Sequence, residues 1–128
     1  MLKKLALFCS LILLVVATFT LTAAPAAAED YTIKMGADNG MLKFVPDALN
    51  VKPGDTVNFV MNKLAPHNVV FNKGPEGADL KEFTSSKLLF SPGQTYSVTF
   101  PQEIPSGVYQ YYCQPHRGAG MVASITVE

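Results

Sequence analysis

Tyr31-Thr32-Ile33-Lys34-Met35 alternates apolar and polar residues at a period of two, and the chain beyond Met35 repeats the same grammar in short units. Leu42 to Val45 and Ala48 to Val51 are apolar runs split by Pro46 and Asp47, and Lys52-Pro53-Gly54-Asp55 is a turn ahead of Thr56 to Met61. Val69 to Phe71 continues the series. Residues 72–87 form its least regular part, opened by Gly74, Pro75 and Gly77, with one short helical turn over Ala78 to Phe83. Ser91-Pro92-Gly93-Gln94 turns the chain into Thr95 to Phe100, and Val108 to Cys113 and Val122 to Val127 complete the pattern. About eight short strands separated by turn signals predict an all-β fold, a Greek-key antiparallel β-sandwich.

Ahead of the first strand lies a different composition. Lys3 and Lys4 precede an apolar run from Leu5 to Leu21, and small residues close it from Ala23 to Ala28. This is the order of a secretory signal, so residues 1–28 are expected to be removed, leaving one domain over residues 29–128. A permanent anchor is the alternative, since about 17 apolar residues stand at the lower limit for a spanning helix. In residues 29–128 eight Lys and Arg face ten Asp and Glu, a formal charge of about −2 that makes nucleic acid a poor partner. Cys113 is the only cysteine there, so no internal disulfide is available and the lone thiol calls for another use.

That use is suggested by Tyr111-Tyr112-Cys113-Gln114-Pro115-His116-Arg117-Gly118-Ala119-Gly120-Met121. A thiol, an imidazole and a thioether sit on one short loop, and the only other histidine, His67, lies upstream in Ala65-Pro66-His67-Asn68. Soft sulfur donors with two imidazoles select copper, and a trigonal His2Cys set with a weak axial Met is an electron-transfer geometry. Zinc is less suited, because a thioether is a poor ligand for it. Pro115 restricts the backbone between Cys113 and His116, while Gly118 and Gly120 permit the turn that returns Met121 toward them. Asn68 is a candidate for a hydrogen bond across to the Cys113 loop, with a simple turn asparagine as the competing reading. If Cys113 faces inward, alternation turns Tyr112 to the opposite face and Tyr111 inward again.

These motifs, together with Met35 to Gly40, Phe44-Val45-Pro46 and Ala65 to Phe71, resemble the plastocyanin family, in particular its cyanobacterial members, from about Tyr31 to Glu128. The resemblance implies a cupredoxin-like sandwich and makes His67, Cys113, His116 and Met121 ligands of a single copper ion. It places Gly40, Leu42, Leu64, Pro66, Gly118 and Ala119 in an apolar docking patch around His116. Tyr112 corresponds to the family's remote-site tyrosine, and Arg117 to a position often basic in cyanobacterial members. It further implies a monomeric electron shuttle between cytochrome f and photosystem I in the thylakoid lumen, and no enzyme activity. Plant members carry two acidic clusters, whereas residues 73–82 here mix Lys73 and Lys81 with Glu76, Asp79 and Glu82. Weak docking dominated by the apolar patch is therefore expected. A pseudoazurin-like periplasmic donor is the alternative within the same chemistry; a copper storage or delivery protein is the alternative outside it.

Overall fold

The computed structural model describes residues 26–128, so the expected signal, Met1 to Ala28, falls almost wholly outside the described residues. Among the described residues nine strands form two sheets: β1 (Asp30–Met35), β2 (Phe44–Val45), β3 (Ala48–Val51), β4 (Thr56–Met61), β5 (His67–Lys73), β6 (Ser85–Leu89), β7 (Thr95–Thr99), β8 (Gly107–Tyr112) and β9 (Val122–Val127). One sheet has the order β2-β1-β4-β7 and the other β3-β9-β8-β5-β6.

Alternation sorts the side chains. Along β4 the odd-numbered Val57, Phe59 and Met61 are buried, and along β8 Tyr109 and Tyr111 are buried while Val108 and Gln110 face out. The core between the sheets is aromatic at its centre: Tyr111 meets Phe44 edge-on at 4.7 Å and Phe59 at 5.3 Å, and lies 5.1 Å from Phe71. Such edge-to-face pairs contribute beyond their buried area.

The sandwich is as expected, with one refinement. Two pairings are parallel, β1 with β4 and β3 with β9, because the chain leaves β1 for the opposite sheet and returns to β4 running the same way. Both Met35 and Met61 therefore end their strands side by side, in register. The segments leaving them, residues 36–43 and 62–66, emerge at one end of the molecule. β5 begins and β8 finishes at that same end, where Val70 pairs with Tyr112. Residues 90–94 arrive there too, tied to Met61 by the Gly93 N–H at 2.8 Å.

The stretch expected to be least regular contains β6, an edge strand with only Leu89 buried, and a short 3-10 turn at Leu80–Glu82 as anticipated. Asp79 caps that turn, its carboxylate accepting the Lys81 N–H at 3.2 Å.

Candidate metal centre

Three polypeptide segments meet at the loop-bearing end. His67 is the first residue of β5, Cys113 follows β8, and His116 and Met121 lie on and just after the 3-10 segment Gln114–Ala119. Pro115 lies in the first turn of that segment, and Gly120 ends it in the left-handed region at φ 84°, with its N–H donating to the Arg117 carbonyl. The loop closes on itself: the Cys113 N–H donates to the Met121 carbonyl at 3.0 Å, and the Met121 N–H to the His116 carbonyl at 3.2 Å. A chain so folded returns Met121 to the neighbourhood of Cys113 and buries it fully.

The donor atoms converge. Cys113 Sγ lies 3.5 Å from Nδ1 of both His67 and His116, and the two Nδ1 atoms are 3.3 Å apart. All three fall within 4.8 Å of one another, spacing that lets a single cation touch each. His67 and Cys113 are fully buried, and His116 is half-buried.

Electrostatics fit a soft cation. Burial pushes the Cys113 thiol above its ordinary value, and hydrogen bonds from the Asn68 and His116 backbone oppose this only in part. Burial likewise lowers His67, disfavouring the imidazolium; the bond to the Lys63 carbonyl opposes this, and the neighbouring His116 charge adds to it. A neutral imidazole is the ligating form, and a bound cation would displace the thiol proton.

His67 is oriented from behind. Its Nε2–H donates to the Lys63 backbone carbonyl, an atom that can only accept, so the ring hydrogen belongs on Nε2 and Nδ1 keeps its lone pair toward the cluster. No side-chain pattern announces a backbone carbonyl, so this partner is visible only in the folded chain. Asn68 is 2% exposed and spans to the Cys113 loop: its Oδ1 accepts the Gln114 N–H at 2.8 Å, and its Nδ2 faces the Ser86 carbonyl at 3.3 Å.

Around the cluster, Gly40, Leu64, Gly118 and Ala119 are exposed, and Leu42 and Pro66 half-buried. Met41, at 57% exposure, and Phe90, at 60%, add apolar surface that the motifs alone did not indicate. Both would have been found by asking which large apolar residues flank the turns at this end. Tyr112 faces away from Cys113 as alternation requires, and the Arg117 guanidinium lies over its ring, 4.1 Å from the centroid. Arg117 is thus an exposed cation stacked on the Tyr112 ring.

The comparisons with known proteins agree with this geometry. Residues 31–128 match the family model described as copper binding proteins, plastocyanin/azurin family. The chain is 49% identical to the plastocyanin of Nostoc punctiforme over 131 residues, spanning 99% of this chain and 94% of that one. It is also 49% identical to the plastocyanin of Prochlorothrix hollandica, covering 98% of this chain and 94% of that protein. Among solved structures, the oxidised plastocyanin of Dryopteris crassirhizoma superposes with a TM-score of 0.64 at 30% identity, covering 76% of this chain and 99% of that one. The pseudoazurin of Methylobacterium extorquens superposes with a TM-score of 0.60 at 33% identity, covering 77% of this chain and 74% of that one. From a buried thiol between two imidazoles to a family match over the whole sandwich, the observations converge: the chain belongs to the plastocyanin/azurin family of copper-binding proteins.

Proposed function

We propose that this copper electron carrier takes its electron from cytochrome f and delivers it to photosystem I, working in the thylakoid lumen after removal of residues 1–28. The observation that carries the reading is the packing of Cys113 Sγ and both histidine Nδ1 atoms within 4.8 Å at the end of a rigid sandwich. His67, Cys113 and His116 would supply the strong ligands and Met121 the weak axial one. Copper supplies the one-electron couple; the protein contributes a donor set fixed by two strand ends and a self-bonded loop, so that little rearrangement accompanies a change of charge. His116 and the exposed Gly118 and Ala119 give the short route to a partner, with Gly40, Leu42, Leu64 and Pro66 forming the apolar collar. Tyr112, covalently next to Cys113, gives a second route on another face, where the stacked Arg117 offers positive charge.

The test is the visible and electron paramagnetic resonance spectrum of protein loaded with one equivalent of Cu(II). An intense thiolate-to-copper band with narrow hyperfine splitting is expected, bleached by reductant and restored by oxidant. Cys113→Ala is expected to lose the band and keep the fold; a variant that stayed coloured would end the ligand assignment. Stopped-flow reduction by cytochrome f and flash-induced oxidation by photosystem I then separate this role from that of a pseudoazurin-like donor. Rapid exchange of the copper without reversible redox cycling would favour a delivery role instead.

A further inference from the structure

The Lys63 carbonyl that orients His67 is itself held in place by a surface with no room to spare. The N–H groups of Asn62 and Lys63 both donate to the Met35 carbonyl, at 3.1 and 3.2 Å, which lays the Lys63 peptide directly over Gly36. Gly36 is buried, with φ +87°. A Cβ at this position would sit inside van der Waals contact of the Lys63 carbonyl oxygen, 2.8 Å from its carbon and 3.0 Å from its nitrogen. The Asn62 side chain clamps the arrangement, its Nδ2 donating at 2.8 Å both to the Gly36 carbonyl and to Asp38 Oδ1.

We infer that Gly36, clamped by Asn62, is a positioning residue for the copper site: its missing side chain lets the Lys63 carbonyl reach His67 Nε2, which fixes the tautomer and direction of the His67 ring. The chain of contact runs from glycine to carbonyl to imidazole, and neither Gly36 nor Lys63 is among the proposed ligands. This rests on His67 being a copper ligand, as proposed above.

Gly36→Ala combines two effects, backbone strain at positive φ and a collision with Lys63. Gly77 separates them. It has φ +83° and open space where its Cβ would be, so Gly77→Ala carries the strain without the collision. Three readouts apply to both variants and to the parent: the His67 tautomer in the copper-free protein by long-range 1H–15N NMR, the Cu(I) affinity by chelator competition, and the charge-transfer band of the Cu(II) form. Relative to Gly77→Ala, Gly36→Ala is expected to lose the pure Nε2–H form of His67, to bind Cu(I) roughly tenfold or more weakly, and to shift the band. Equal behaviour of the two variants in tautomer and affinity would overturn the inference. Should Gly36→Ala fail to fold by circular dichroism, Asn62→Ala decides: a mixed tautomer with weakened Cu(I) binding supports the clamp, and an unchanged tautomer and affinity refute it. A parent protein lacking the charge-transfer band would instead fault the ligand assignment, and the NMR comparison in copper-free protein would still judge Gly36.

Discussion

Tyr111 lies at the centre of the core, two residues before Cys113 in the chain. Its ring is packed by Phe44, Phe59 and Phe71, yet its buried hydroxyl finds no partner among the described residues. Burial, with a smaller push from Asp47, holds the phenol protonated far above its ordinary range. In the unfolded chain a tyrosine titrates near 10, so Tyr111 leaves stability independent of pH below about pH 10, and above it ionisation favours the unfolded chain and stability falls as the pH climbs toward the folded value. Tyr111→Phe removes the orphaned O–H and is expected to raise stability by about 1 kcal/mol at neutral pH. It should also flatten the alkaline loss, which urea unfolding at pH 7 and at about pH 11 would register. An unchanged alkaline slope would mean that another group controls it. At this same scale the four ligand types were legible, because a thiol, a thioether and two imidazoles cannot be mistaken for other chemistry. The Lys63 carbonyl was not, since a main-chain oxygen is the same in every residue and only the fold brings it to His67.

Turns carry much of the specification of the strands they join. Asp55 is 3% exposed, and its carboxylate accepts the Glu29 N–H at 2.9 Å and the Lys52 N–H at 2.8 Å, locking the Lys52–Asp55 turn to the start of β1. Asp55→Ala strands those donors and is expected to cost about 1–3 kcal/mol in denaturant unfolding, with the copper spectrum unchanged. Loss of the spectrum at intact fold would show that this end of the sandwich is coupled to the other. The elements flanking such turns were readable: Thr56–Met61 and Val122–Val127 end where their alternation ends. β6 is hard to see in the sequence because an edge strand buries little, and Ser85-Ser86-Lys87 looks like loop until Leu89 is seen to turn inward. The parallel pairings are invisible there for another reason. Strand periodicity states which face is buried but never which neighbour lies alongside.

For the whole molecule, the consequence of those pairings is a single crowded end. Met41, Leu64 and Phe90 stand there at 57%, 50% and 60% exposure, an apolar face on a chain whose acidic and basic residues nearly balance over residues 29–128. Docking there should depend weakly on salt and strongly on burying that face. On the proposed role, with photosystem I as acceptor and this face as the docking patch, Leu64→Glu is expected to slow reduction of photosystem I by about tenfold while leaving the blue band intact, since a charge must then be desolvated on contact. A rate unaffected by this change would move the docking surface elsewhere, with the Tyr112 and Arg117 face the next to examine. His67 and Cys113 stand 46 residues apart along the chain and 3.5 Å apart in space. Held by separate strands, they behave as a chelator whose two arms meet at a very high local concentration only while the strands stay paired. A chain in which those strands fail to pair keeps every donor atom but loses the chelate, so retention of the metal doubles as a quality check on the finished sandwich.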